Sequence, residues 1–149
     1  VIVDSSTVIS LARAGLLPAL SRSPIEPVLL DVVWEEVVVA GRSGQHADAV
    51  AIEQALSDRA RQRAPVANTV DEAVLLAALD DGTLACNDAT LGRRARNLGV
   101  RWIRTADLLV LLARSGAATT VEAVGGIDAL FNAGRISDAM RDEYREALT

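Results

Sequence analysis

The stretch Leu84-Ala85-Cys86-Asn87-Asp88-Ala89-Thr90-Leu91-Gly92-Arg93-Arg94-Ala95-Arg96-Asn97-Leu98-Gly99-Val100 decides the fold class. Thr83 to Cys86 is a short apolar run and reads as a strand. Ala89 to Leu98 reads as a helix, and Gly99 stops it. Val100 to Ile103 is a second strand. A strand, a crossover helix and another strand form a βαβ unit, whose strands must be parallel.

The same alternation extends in both directions. Val1 to Asp4 is a β-branched strand, followed by helical segments at Ser6 to Ala14 and Leu16 to Leu20. Pro24 and Pro27 mark a loop before a strand at Val28 to Leu30. Asp31 then opens a helix to about Ala40, which Gly41 and Gly44 are expected to break. Gln45 to Arg63 reads as a longer helix, with Arg59, Arg61 and Arg63 at the end favoured by the helix dipole. Pro65 to Ala67 is expected as a third strand, Thr69 to Asp80 as a helix, and Asp81-Gly82 as its closing turn. Beyond Ile103 come three helices, Ala106 to Arg114, Thr120 to Asn132 and Asp138 to Leu148. The second opens on the capping box Thr119-x-x-Glu122, and Ser137 caps the third. The expectation is one α/β domain over residues 1–149, with a mostly parallel five-stranded sheet in a three-layer α/β/α sandwich and extra C-terminal helices.

Composition narrows the function. Half of the 149 residues are hydrophobic and only 3% are aromatic, so the core is aliphatic and a stacking-based RNA-binding module is disfavoured. A net charge of −5 argues against holding nucleic acid through a bulk positive field. All 15 basic residues are arginine. With no lysine, the chain lacks the residue a receiver domain or a dehalogenase-type phosphatase needs. Glycine-rich phosphate loops are missing too. Cys86 stands alone, so there is no internal disulfide, and in a strand it reads as a core residue. His46 is the single histidine, expected at the surface, and a zinc site is excluded. Without a histidine partner, Ser5 and Ser6 make no hydrolytic triad. No apolar run is long enough to span a bilayer and the opening residues do not read as a signal peptide, so a cytoplasmic protein is expected.

Ligands of open parallel sheets bind beyond the carboxyl ends of the strands. Asp4 ends the first strand, and a carboxylate there points to the crevice, although Asp is also a good helix cap. Asp88 repeats that position after the strand Thr83 to Cys86. Glu35 and Glu36 interrupt an apolar helix and point about 100° apart; local sequence does not choose between them. Glu72 opens a helix that leaves a strand, yet Thr69-x-x-Glu72 is also a capping box that accounts for it equally well. Carboxylates gathered in one crevice repel, by ~4 kcal/mol for a pair 4 Å apart at an effective dielectric of 20. A divalent cation relieves that repulsion, and hard oxygen donors favour Mg²⁺ or Mn²⁺. Phosphodiester hydrolysis is the matching chemistry. Arg93, Arg94 and Arg96 read most simply as a solvated helix face; Arg93 and Arg94 could alternatively meet RNA phosphates at the crevice.

Several segments together resemble the PIN-domain family. They are the opening Val1 to Gly15 around Asp4, the apolar strand and helix Val28 to Val39 with an acid inside, Asp71-Glu72-Ala73-Val74, the quoted stretch Leu84 to Val100, and the tail Ile136-Ser137-Asp138. The tail is similar to a branch near bacterial VapC-like toxins. The resemblance covers nearly the whole chain. It implies a Mg²⁺- or Mn²⁺-dependent endoribonuclease with metal on Asp4, Glu36, Glu72 and Asp88, and it prefers Glu36 over Glu35. Ser6 and Asn87 are implied as supporting residues. An antitoxin partner and a homodimer follow from the same likeness. The chain departs from the family at Asn87, where close relatives often have Asp, at Cys86, where many have Thr, and at Asp71, which replaces Gly. The competing reading is a PIN-like fold that acts as a protein-binding partner with little catalysis.

Overall fold

Five short strands, all parallel, organise the molecule. They are β1 (Ile2–Val3), β2 (Leu29–Leu30), β3 (Arg61–Gln62), β4 (Thr83–Ala85) and β5 (Arg101–Ile103). The computed structural model describes residues 1–44 and 47–149. Gln45 and His46, where a helix start and a surface histidine are expected, lie outside the described residues.

The expected single five-stranded sheet is corrected. Strands β1, β4 and β5 form a three-stranded sheet in the order β1-β4-β5, and β2 and β3 form a second, two-stranded sheet. One parallel bridge, Ile2 to Val28, connects them. There Val28 N–H donates to the Val1 carbonyl at 2.7 Å and Val3 N–H to the Val28 carbonyl at 3.2 Å. The bridge falls at Val28, before β2 begins, and β2 itself pairs with β3.

A second correction concerns β3. The sequence suggested a helix to Arg63 and a strand at Pro65 to Ala67. Instead the helix ends at Leu56, and Arg61–Gln62 pairs with Leu29–Leu30. Side-chain partners explain the change. The Arg61 guanidinium stacks 3.8 Å from the Trp34 ring centroid, and Arg59 donates to the Pro27 carbonyl at 3.1 Å. Ala64 N–H is taken by Asp31 Oδ1 at 2.9 Å. These arginines therefore anchor a strand and do not complement a helix dipole. Val66, within the expected strand, is 96% exposed.

Helices α1 (Ser5–Arg13) and α2 (Leu17–Arg22) follow β1. After β2 come α3 (Asp31–Trp34), a π turn (Glu35–Val39), α4 (Ala40–Ser43) and α5 (Ala47–Leu56). Helix α6 (Val70–Asp81) precedes β4, α7 (Ala89–Asn97) crosses from β4 to β5, and α8 (Thr105–Arg114), α9 (Thr120–Asn132) and α10 (Asp138–Leu148) complete the chain. The expected break at Gly41 does not occur: Gly41 lies inside α4. An added Cβ there would stand 3.0 Å from Ala49 Cβ, so this glycine serves the close approach of α4 and α5.

Neighbouring strand residues face opposite sides of a sheet. Leu84 and Ala85 are both 0% exposed, and Ile2 and Val3 are both buried, so helices cover both faces. Helices α6 and α7 pack side by side on β1, β4 and β5; α1, α8 and α9 pack together, with α10 against α8 and α9. Among the described residues, no helix is long and apolar enough to cross a membrane.

Candidate active site

The register of β1 and β4 builds the site. Val3 lies opposite Ala85, and Asp4 N–H donates to the Ala85 carbonyl at 3.0 Å. Asp4 and the segment Cys86-Asn87-Asp88 thus leave the sheet side by side at its carboxyl edge. Asp4 occupies the N-cap position of α1, and its main-chain carbonyl accepts from Thr7 and Val8 N–H, both at 3.1 Å. Its carboxylate makes no cap bond. Capping therefore does not account for the side chain. It is turned inward, with 6% of the residue exposed.

A short relay holds this carboxylate. Asn87 N–H donates to Ser6 Oγ at 3.1 Å, and the Ser6 hydroxyl donates to Asp4 Oδ2 at 3.0 Å. The Asn87 amide donates to Ser10 Oγ at 2.9 Å. Ser6 and Asn87, expected as supporting residues, thus tie the two strand ends together. From beneath, Trp102 Nε1–H donates to the Cys86 carbonyl at 3.1 Å. Gly92 makes that possible: an added Cβ would come within 2.0 Å of the indole. Sequence reading placed no role on either residue. The signal available was a glycine inside a helical pattern, which often marks a close approach.

Electrostatics show which acids share the site. Burial pushes the Asp4 carboxyl above the usual carboxylate range, against the Ser6 hydroxyl and the Ser5 peptide group, and the negative charges of Asp71 and Glu36 add to the rise. Burial pushes the Cys86 thiol up to about 12, with the charges of Asp4 and Asp88 acting in the same direction. The charges of Asp71 and Glu36 are thus felt at Asp4, and those of Asp4 and Asp88 at Cys86.

Glu36 stands in the π turn. The wider turn shifts the helical phase so that Val37 and Val38 are both buried while Glu35 and Glu36 are both exposed. Only Glu36 of this pair is felt at Asp4. Asp88 is an exposed N-cap, and its Oδ1 accepts from Thr90 N–H at 2.9 Å and Leu91 N–H at 3.2 Å. The capping alternative is thus realised at Asp88, whose charge is felt at the neighbouring Cys86 thiol. Glu72 is placed differently. Its N–H is capped by Thr69 Oγ1 at 3.1 Å, and its Oε2 accepts from Asn68 N–H at 3.3 Å. It is engaged in holding the start of α6. Asp71, one residue earlier and exposed, is the α6 acid whose charge reaches Asp4. Sequence reading noted Asp71 only as a departure from the family pattern.

Among the described residues, no three of His, Cys, Asp and Glu stand close enough together to hold a metal ion among them. The donor set nevertheless fits a hard divalent cation. It is entirely oxygen, its central carboxylate is desolvated, and the nearest charges are negative. The Ser5 hydroxyl, next to Asp4 in sequence, is buried with no hydrogen-bond partner. Mg²⁺ is commonly bound through one or two carboxylates, retaining water and meeting substrate phosphate, so no closed cage is required. Arg93 and Arg94 are exposed on α7, the helix that Asp88 opens.

A family model described as DUF3368, a PIN domain, matches residues 1–148. No curated protein and no solved structure matches the chain.

Proposed function

The chain belongs to the PIN-domain family, whose members are generally nucleases that use divalent metals, and on that footing we propose that it is a Mg²⁺- or Mn²⁺-dependent endoribonuclease. One observation supports this reading: the buried Asp4 carboxylate at the end of β1, which feels the charges of Asp71 and Glu36 and leaves the sheet beside the segment that Asp88 closes. A buried carboxylate among like charges is costly unless something positive joins it.

In this reading Asp4 anchors the cation, while Glu36, Asp71 and Asp88 complete its surroundings through water or directly. Asp71 takes the part that the family resemblance assigns to Glu72. A divalent cation, when bound, supplies positive charge to the scissile phosphate and acidifies a water. The Ser6–Asn87 relay engages Asp4 Oδ2 and so would fix how the carboxylate is turned toward the cation. Exposed carboxylates at the edge leave the phosphate open access from solvent, as a polymer substrate requires. Arg93 and Arg94 meet the flanking phosphates. As part of the same proposal the protein is the toxin of a toxin–antitoxin pair in the cytoplasm, self-associating and held by an antitoxin. Support comes from the VapC-like segments and from exposed apolar side chains such as Leu76 and Leu79 on α6.

The test is incubation of the protein with a mixed RNA pool and Mn²⁺, beside Asp4→Asn and an EDTA control. Cleavage by the wild type alone supports the proposal. The catalytically weak binding-partner reading draws on one specific observation, that Asp88 and Glu72 already serve as helix caps. Absence of both cleavage and calorimetric Mn²⁺ binding would establish that reading instead.

A further inference from the structure

The arginines are distributed unevenly. Residues 89–118 hold six of them, Arg93, Arg94, Arg96, Arg101, Arg104 and Arg114, against a single acid, Asp107. A chain with a net charge of −5 therefore carries one strongly basic segment. All six are exposed, and among the described residues none of them has a carboxylate at ion-pair distance. The one acid is already occupied. Asp107 Oδ1 accepts from the Tyr144 hydroxyl at 2.7 Å, and its Oδ2 accepts from Arg104 N–H at 2.8 Å.

This segment borders a groove of about 450 Å³ between β5, α8 and α10. Arg101, Trp102, Arg114 and Tyr144 line it. At the carboxyl end of β5 the Arg104 guanidinium lies 4.5 Å from the Trp102 ring centroid, and that of Arg96 lies 5.8 Å from the same ring. Two like charges share one indole. Through Nε1 the same indole holds the Cys86 carbonyl, two residues from Asp88. One end of the basic surface therefore adjoins the acid site, and the groove leads away from it along β5.

Resting on the ribonuclease reading, we propose that the groove beside β5 is a track for single-stranded RNA, gripped through its phosphates by Arg101, Arg104 and Arg114. Unpaired guanidinium groups suit phosphate oxygens, which they can bind through two donors at once. The ring of Tyr144 in the groove wall suits an unstacked nucleotide. Duplex is disfavoured, because a groove of this size does not admit a double helix. Contacts of this kind position a strand without reading its sequence.

The test separates the track from the chemistry. Binding of a fluorescein-labelled single-stranded oligoribonucleotide is followed by anisotropy in EDTA, across a salt series. The double variant Arg104→Ala/Arg114→Ala is expected to bind about ten-fold more weakly, with a salt slope lower by about 1.4, from two phosphates at ~0.7 each. Arg13→Ala, which removes a side chain paired with Asp48 at 3.0 Å, should bind as the wild type does. Arg104→Lys/Arg114→Lys should recover most of the slope, because the charge remains. An unchanged slope in the alanine variant, or no RNA binding by the wild type, overturns the track. So does a lysine variant as weak as the alanine one, which would mean a structural role. If the wild type binds with the expected slope and loses it in the alanine variant, yet never cleaves with Mn²⁺, the track stands and the nuclease reading fails. If it cleaves while the alanine variant binds and cleaves normally, the nuclease reading stands and the track fails.

Discussion

Asp4 carries an energetic burden whose sign can be worked out. Its folded pKa lies above the ordinary 3.8, chiefly through burial. The metal-free protein then loses stability as pH rises from about 3.8 through the raised folded value, and the loss is complete above it. Asp4→Asn removes that loss. In EDTA at pH 7 the variant should melt higher than the wild type, and the gap should close as pH falls to about 3.8. The same substitution should reduce cleavage by more than ~100-fold, because a direct ligand matters more than its supporting partners. A variant that melts lower at pH 7 would show that the carboxylate is stabilised where it stands. Asp71 and Glu72 form a second residue-scale comparison. Glu72→Ala should cost ~0.5–1 kcal/mol in urea unfolding, as lost helix-start bonds do, with cleavage nearly normal. Asp71→Asn should leave stability unchanged and weaken Mn²⁺ binding by about ten-fold or more. The reverse pattern would restore Glu72 to the site. Nothing local distinguishes these neighbouring acids in the sequence, since both sit in a first helical turn. The choice depends on which way α6 faces β1.

At the scale of elements, the site depends on how α7 rests on β5. Gly92 lets the Trp102 indole lie against the helix backbone and reach the Cys86 carbonyl. Gly92→Ala forces that contact apart. It should destabilise the protein by about 2–3 kcal/mol, as overpacking does, and slacken the segment bearing Asp88. Thermal melting checks the first effect; a fall in Mn²⁺ affinity checks the second. The π turn is the other decisive element. Across this turn Val33, Val37 and Val38 are buried while the charge of Glu36 is felt at Asp4. Apolar periodicity averaged over so short a run does not register a single wide turn, so the sequence left Glu35 and Glu36 undecided. Longer elements were legible. The spans Thr120–Asn132 and Asp138–Leu148 stand as expected because each has its own Thr or Ser cap.

Across the whole molecule, cation binding and folding should be linked. A cation that binds only the folded acid site stabilises it by RT ln(1 + [L]/Kd), which is about 2.7 kcal/mol at a hundred-fold excess over Kd. Saturating Mn²⁺ should therefore raise the melting temperature of the wild type by several degrees and that of Asp4→Asn by little. An equal rise in both would mean the ion binds elsewhere. Sequence alone determined the parallel α/β class, and it determined that Asp4 and Asp88 each follow the carboxyl end of a strand. Both follow from local signals: apolar runs, helix stops and the chemistry of strand ends. Tertiary structure decided the rest. It divided the strands between two sheets, because β1 pairs along its length with β4 and β2 with β3, and a single bridge joins β1 to the segment before β2. It made a strand of Arg61–Gln62, because Trp34 and Asp31, far away in the chain, hold that segment in place. It set the charges of Asp71 and Glu36, and not those of Glu72 and Glu35, among those felt at Asp4, because the direction of a side chain depends on how its helix packs, and packing is a property of the assembled core.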